Sequence, residues 1–255
     1  MKAIRVEQFG DPGVMHIADV PPLKPGPGQL RVRIHAAGVN PVDTYIRSGT
    51  YGRVPNLPYT PGHDGAGEID AAGDGVTGFS KGDRVYIAGS LTGTYAEQCL
   101  CLASQVHRFP GNATSAEGAA LGIPYATAFR ALFQRGSARF GETVLVHGGT
   151  GGVGIAAIQL ARAAGLRVYA TGGTNAGRLL LHEQGAHGVF DHHEMGYLEH
   201  VRNAAGGSGV DLILEMLANV NLASDLTLLS SFGRVLIIGS RGPIRNNTPG
   251  AIVRA

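Results

Sequence analysis

The feature that most narrows the folds open to this chain is a run of five glycines in seven residues, Gly148-Gly149-Thr150-Gly151-Gly152-Val153-Gly154. It lies between the apolar stretch Thr143-Val144-Leu145-Val146-His147 and the alanine-rich stretch Ile155-Ala156-Ala157-Ile158-Gln159-Leu160-Ala161. Gly149, Gly151 and Gly154 fit the spacing G-x-G-x-x-G, in the strand, turn and helix order that gives the spacing meaning. Missing side chains let the backbone touch a pyrophosphate, and a helix N-terminus offers N–H donors and the positive end of its dipole. The plain structural alternative is a glycine-rich turn that packs helix on strand. The repeated strand and helix units that follow favour the dinucleotide reading.

Those units are apolar strands expected at Thr143 to His147, Arg167 to Thr171, Gly188 to Asp191, Val210 to Glu215 and Arg234 to Ile238. Helices are expected between them at Val153 to Ala164, Ala176 to Gln184, Tyr197 to Asn203 and Asn221 to Leu229. Parallel strands need crossovers, so this half of the α/β chain reads as a doubly wound parallel sheet. The first third differs: Leu30 to His35, Gly67 to Ala71, Arg84 to Ala88 and Tyr95 to Leu100 read as short strands among proline-rich turns, without a long helical period. Ser115 reads as the N-cap of alanine-rich helices reaching to about Arg135. The expected domains are a β-rich unit over 1–115 and a dinucleotide-binding unit over 116–255.

Composition removes several function classes. Lys and Arg number 21 against 19 Asp and Glu, a net charge of +2 that argues against nucleic acid or an anionic membrane as partner. No run approaches the ~18 apolar residues of a membrane span, and Met1-Lys2-Ala3-Ile4-Arg5-Val6 alternates like a strand rather than opening a signal peptide. The two cysteines, Cys99 and Cys101, make no disulfide framework. A reducing, cytoplasmic setting is expected.

The end of the second strand chooses between dinucleotides, because an acid there holds the ribose 2′-OH. Here the segment is Ala170-Thr171-Gly172-Gly173-Thr174-Asn175, and the next acid along the chain is Glu183. No carboxylate would repel a 2′-phosphate, and Arg178 is placed to pair with one, so NADPH is the expected cofactor. A solvated arginine on the helix surface is the bland reading.

With these motifs placed, the chain resembles the zinc-free quinone oxidoreductases of the medium-chain dehydrogenase/reductase superfamily, the zeta-crystallin-like members in particular. The resemblance rests on Gly38-Val39-Asn40-Pro41-Val42-Asp43-Thr44-Tyr45-Ile46-Arg47-Ser48-Gly49, Gly122-Ile123-Pro124-Tyr125, Val146 to Gly154, and Glu215-Met216-Leu217-Ala218-Asn219-Val220-Asn221-Leu222. It implies a GroES-like β-rich domain beside a Rossmann-type one, a homo-oligomer (dimer or tetramer), and NADPH-dependent reduction of quinones or similar activated carbonyl acceptors. It also implies that Tyr45 lies near the cofactor, that Thr150, Gly151, Gly152 and Val153 hold the pyrophosphate, and that Gly173 borders the adenosine end. His192, Asn221 and the turn Gly239-Ser240-Arg241 would line the remainder. Asn40, Tyr45 and Tyr51 are the candidates for contacting acceptor oxygens or ordering the cleft.

Plainer readings stand beside these. Tyr45 and Tyr51 would otherwise be surface aromatics, and Asn221 the N-cap of its helix. His192 and His193 are adjacent and so expected to point apart, with no acid cluster to complete a metal site. Zinc alcohol dehydrogenases of the superfamily place Cys where this chain has Asn40 and His where it has His63. His63 is a departure from zeta-crystallin, yet without thiolate partners no zinc is expected. An enoyl-thioester reductase is the alternative enzyme; an NADPH-regulated protein binding AU-rich RNA, or a non-catalytic form, is the alternative of another class. The resemblance runs to about Gly242, whereas Arg245 to Ala255 follow the family poorly. Relatives are expected to continue into a sixth strand and a return segment, so the chain reads as C-terminally truncated, its first domain incomplete and its second without that strand.

Overall fold

The computed structural model describes residues 1–242; the expected departure at Arg245 to Ala255 lies outside the described residues. The chain divides into two units between Ile123 and Pro124.

The first unit opens with an antiparallel pair, β1 (Lys2–Val6) and β2 (Met15–Asp19). Next come β3 (Gln29–Gly38), a two-turn helix α1 (Pro41–Ser48), and the strands β4 (Asp64–Ala72), β5 (Arg84–Ala88), β6 (Gln98–Leu102) and β7 (Val106–Arg108). The last five strands form an antiparallel sheet in the order β6-β3-β4-β5-β7. Leu30, Val32, Ile69, Val85, Ile87, Cys99, Cys101 and Val106 are its buried core. Cys99 and Cys101 alternate onto one face of β6, their sulfurs 3.6 Å apart and unbonded. The Cys99 thiol is held well above its usual range by that contact and by burial, so it has no reactive thiolate character.

Two local features differ from expectation. Helix α1 is missing from the sequence reading because its eight residues are too few to show a helical period. Its signals are all at the start: Pro41 at the first helical position, and the Asp43 carboxylate accepting from the Asn40 N–H at 2.9 Å. The helix α2 (Ser115–Ala119) is capped by Thr114 rather than Ser115. The Thr114 hydroxyl accepts from Glu117 N, and the Glu117 carboxylate accepts from Thr114 N, a reciprocal T-x-x-E box. The division of the chain falls within α3 (Gly122–Phe129).

In the second unit β8 (Thr143–Val146), α4 (Gly152–Ala163), β9 (Arg167–Thr171), α5 (Asn175–Glu183), β10 (Gly188–Phe190), α6 (Tyr197–Ala204), β11 (Val210–Glu215), α7 (Ala218–Leu228) and β12 (Leu229–Ile237) follow in turn. All the strand pairs are parallel, in the order β10-β9-β8-β11-β12. Period two places Val144, Val146, Val168, Ala170, Leu212 and Leu214 on one face, against Ala156, Ala157, Ile158 and Ala161 of α4 and Leu181 of α5. Leu145, Tyr169 and Ile213 point the other way, to Val201 of α6 and Leu228 of α7. Both faces are therefore buried, which explains why these strands are apolar throughout instead of alternating. Helix α7 begins at Ala218 and β12 at Leu229, both earlier than expected; β12 pairs irregularly at its start, between the partners of Val210 and Leu212. No described helix is long and apolar enough to cross a membrane.

Leu145 is fully buried in the centre of this sheet, so Leu145→Ala is expected to cost about 2–5 kcal/mol of unfolding free energy in urea titrations. The exposed Leu179 of α5 provides the control: Leu179→Ala should stay within about 0.5 kcal/mol of the parent.

Candidate functional site

The chain winds from β8 through β9 to β10 on one side of the second sheet, then returns to β11 and β12 on the other. A crevice opens where such an order reverses, outside the C-terminal ends of the central strands. The glycine turn sits there. Gly148 has φ of 58°, its N–H donates to Thr171 Oγ1 at 3.1 Å, and Gly149 N–H donates to Thr171 O at 3.0 Å. A Cβ at Gly154 would lie 2.6 Å from the carbonyl oxygens of both Gly148 and Gly149, so only glycine lets α4 approach the turn. At Gly151 the nearest atom to an added Cβ is 3.5 Å away, leaving that backbone open. No side chain caps α4, so the first-turn N–H groups of a twelve-residue helix remain for an anion.

At the end of β9, Thr174 caps α5 by accepting from Gly177 N at 3.0 Å. Arg178, one turn on, is not free: it pairs with Asp191 at 2.5 Å and with the Asn175 side chain. Asp191 follows β10 and is remote in sequence, which is why reading along the chain finds Glu183 as the next acid. The His193 N–H and then Arg178 hold the Asp191 carboxyl below its usual range. The same turn corrects the expectation that His192 and His193 point apart. Their rings lie side by side, centroids 4.4 Å apart, against Gly173, where a Cβ would be 2.8 Å from His193 Nε2. Burial and the neighbouring His193 push His192 down, toward its neutral form.

The remaining predicted positions of this unit gather at the ends of β11 and β12. Asn221 lies inside α7, whose cap is Leu217, and its amide donates to Glu215 Oε1 at 3.3 Å; it is not the helix cap. A Cβ at Gly239 would sit 2.5 Å from Met216 O, Ser240 Oγ donates to Gly242 O at 2.8 Å, and Arg241 N donates to Asn219 Oδ1 at 2.9 Å.

Beneath them is a constellation that the sequence does not reveal. His147, Glu215 and Asp225 are buried and come from β8, β11 and α7. His147 Nε2 is 2.8 Å from Asp225 Oδ1 and 3.6 Å from Glu215 Oε2. Burial pushes His147 down, so the neutral ring donates from Nε2 to Asp225. Glu215 Oε2 and Asp225 Oδ2 otherwise lack partners, and a proton on Glu215 donated to Asp225 satisfies both. Burial, reinforced by Asp225, pushes Glu215 up to about 7, and burial pushes Asp225 up to about 6. Glu215 Oε1 also accepts from Leu217 N–H, so the cluster fixes the backbone leading to Asn221. Both carboxyls are raised, so as pH climbs from the ordinary carboxylate range through about 7 the unfolded chain releases protons that the folded chain retains, and stability falls. Relative to Glu215→Gln, which keeps a donor to Asp225, the parent protein is expected to lose melting temperature as pH rises from 5 to about 8 in paired thermal melts, a difference that isolates the carboxyl contribution from the opposing one of His147.

In the first unit Asn40 is buried and donates from Nδ2 to Asp64 Oδ2 at 2.9 Å, holding the start of α1 to β4. Asp64 also accepts from Ile123 N–H; burial pushes its carboxyl up against those hydrogen bonds. Asp43 is the centre of a second group. One oxygen is 2.8 Å from His63 Nδ1, and the other accepts from Asn40 N and from the Tyr95 hydroxyl at 3.3 Å. The Asp43 hydrogen bond raises His63 against the opposing effect of burial, and burial with Asp43 raises the Tyr95 phenol. Tyr45, on α1, and Tyr51, just after it, are 39% and 46% exposed, so their rings are free to meet a ligand.

An antiparallel β-rich unit followed along the chain by a doubly wound parallel-sheet unit is the domain order of a medium-chain dehydrogenase/reductase. Residues 26–125 match the alcohol dehydrogenase GroES-like domain, and residues 152–253 match the zinc-binding dehydrogenase domain. The chain is 50% identical to the human quinone oxidoreductase and 52% identical to the one from Rattus norvegicus, in each case over 97% of this chain and 75% of the relative. It superposes on the Escherichia coli quinone oxidoreductase complexed with NADPH with a TM-score of 0.87 at 28% identity, and on a mycobacterial protein complexed with NADPH with a TM-score of 0.86 at 36% identity. Each pairing covers 98% of this chain and 77% of the other. The chain belongs to the quinone oxidoreductase family of this superfamily, and it is an oxidoreductase.

The zinc implied by the name of the second domain does not fit the residues at Asn40 and His63, where zinc alcohol dehydrogenases of the superfamily place a cysteine and a histidine. Asn40 supplies an amide already bonded to Asp64, His63 Nδ1 is bound to Asp43, and both cysteines lie in the buried core of the first sheet. Protein prepared without chelators is expected to contain far less than one zinc per chain by elemental analysis, with turnover unchanged after chelation.

Proposed function

We propose that this protein transfers reducing equivalents from NADPH to quinones or similar electron-poor carbonyl acceptors, without a catalytic metal. The observation that carries the reading is the uncapped start of α4 at the glycine turn, beside a second strand that ends in Thr171-Gly172-Gly173-Thr174 with no acid on it. NADPH in the mycobacterial and Escherichia coli relatives, and the relatives' quinone oxidoreductase activity, support it.

In this reading Gly149, Thr150, Gly151, Gly152, Val153 and Gly154 hold the pyrophosphate. Gly173, Arg178 and His192 surround the adenosine end, with Asn221, Gly239, Ser240 and Arg241 along the rest. Arg178 shares its charge between Asp191 and the 2′-phosphate, its planar fork meeting both. The nicotinamide supplies the redox chemistry; the protein binds, orients and excludes water. Tyr45 and Tyr51 face the acceptor, and Asn40 orders the wall behind them through Asp64. An acceptor that is already electron-poor needs no Lewis acid to polarise it, which agrees with a site that offers no zinc ligand set.

Arg178→Ala is expected to raise the Kd for NADPH about tenfold, the loss of one charge-assisted hydrogen bond, while leaving NADH within twofold in cofactor-fluorescence titrations. Steady-state NADPH oxidation tests the acceptor: 9,10-phenanthrenequinone should be reduced and a crotonyl thioester should not. The opposite result would establish an enoyl-thioester reductase instead.

A further inference from the structure

Asn221 is half-buried in the first turn of α7, in the same unit as the glycine turn. With the adenosine end at Gly173, on the β9 and β10 side, the other half of a dinucleotide lying across the crevice falls on the β11 and β12 side, where Asn221 is. One atom of the Asn221 amide is committed: Nδ2 donates to Glu215 Oε1 at 3.3 Å, while Oδ1 has no hydrogen-bond partner among the described residues. A free amide turns over and offers a ligand either a donor or an acceptor. Glu215 removes the choice. Its Oε1 already accepts from Leu217 N–H, and its proton lies on the other oxygen, Oε2, toward Asp225, so Oε1 has no hydrogen to give. Asp225 is in turn the acceptor for His147 Nε2–H at 2.8 Å. The hydrogen bonds of this fully buried carboxyl pair thus all run inward, and they turn the Asn221 N–H group to the protein and its carbonyl oxygen away from it.

We propose that Glu215 is a positioning residue for the cofactor, fixing the Asn221 side chain so that Oδ1 accepts a hydrogen bond from the nicotinamide half of NADPH. The inference rests on the NADPH reading above. Two groups of that half can donate, a ribose hydroxyl and the carboxamide N–H. Asp225 and His147 act one step further back, by keeping the Glu215 proton on Oε2. An amide preset in this way gives up less side-chain freedom on binding than one that must first be ordered.

The test is a set of equilibrium titrations on the full chain, without turnover, using three ligands: NADPH, 2′-phospho-ADP-ribose, which keeps the second ribose but lacks nicotinamide, and 2′,5′-ADP, which lacks both. Glu215→Met keeps the side chain's length and removes its acceptor. It is expected to raise the Kd for NADPH about tenfold, the loss of about one hydrogen bond, and to leave that for 2′,5′-ADP within about twofold. Glu215→Gln, whose Oε1 still accepts and whose amide donates to Asp225, should bind NADPH within about twofold of the parent. A loss shared by NADPH and 2′-phospho-ADP-ribose supports the proposal with the ribose hydroxyl as donor; a loss for NADPH alone supports it with the carboxamide. Asn221→Ala should show the same loss, and Glu215→Met added to it should cost NADPH binding nothing further. Additive losses, equal weakening of 2′,5′-ADP, failure of Glu215→Gln to restore binding, or parent-like NADPH binding by Glu215→Met or Asn221→Ala would each overturn the proposal. Should Glu215→Met not fold, the parent protein decides: the Asn221 Nδ2 hydrogens should exchange with solvent more slowly than those of the exposed Asn112 in nitrogen-15 spectra, and equal rates would overturn the assignment. A parent protein that binds none of the three ligands would overturn the cofactor reading itself.

Discussion

Everything in the second unit depends on one close backbone approach. Where the first turn of α4 meets the end of β8, the Gly154 position stands 2.6 Å, measured from an added Cβ, from two carbonyl oxygens of the turn. A single methyl group would push the helix off the strand. With glycine there, α4 lies flat on the sheet, its small residues Ala156, Ala157 and Ala161 pack against Val144, Val168 and Leu212, and its free N–H groups point outside the strand ends. The packing requirement and the anion-binding geometry are satisfied by the same residues. That shared demand is why a glycine motif in this setting carries so much information.

The cost of bringing polar groups to that edge is handled by proton sharing. Two carboxyls and an imidazole, fully buried, would be prohibitive as separate charges. As a neutral histidine, a protonated Glu215 and Asp225 joined by hydrogen bonds, they tie β8, β11 and α7 together under the crevice. The first unit uses a related pairing with a different result. Asp43 is buried but His63 is half exposed, so this pair is open on one side instead of being closed off.

Local signals carried much of the architecture. Strands β8, β9 and β11 were legible because both sheet faces are covered and the runs are apolar from end to end. Helices α4 and α5 were legible because each follows a strand at a short, polar or glycine-rich turn. Helix α1 was not, since two turns give too few residues for a period, although Pro41 and Asp43 marked its start. The irregular entry into β12 was not legible either, because its pairing depends on β11 and not on its own pattern.

The sequence by itself determined the doubly wound class, the glycine turn and the lack of an acid at the end of β9, all consequences of residues adjacent in the chain. The tertiary structure alone decided what those residues meet. It brought Asp191 onto Arg178, set the rings of His192 and His193 on Gly173, placed Asp225 against His147 across 78 residues, and seated Asp43 behind His63. Each of these brings together residues separated along the chain. No periodicity encodes them, because the position of such a partner is set by which strands become neighbours in the sheet and not by its distance along the chain.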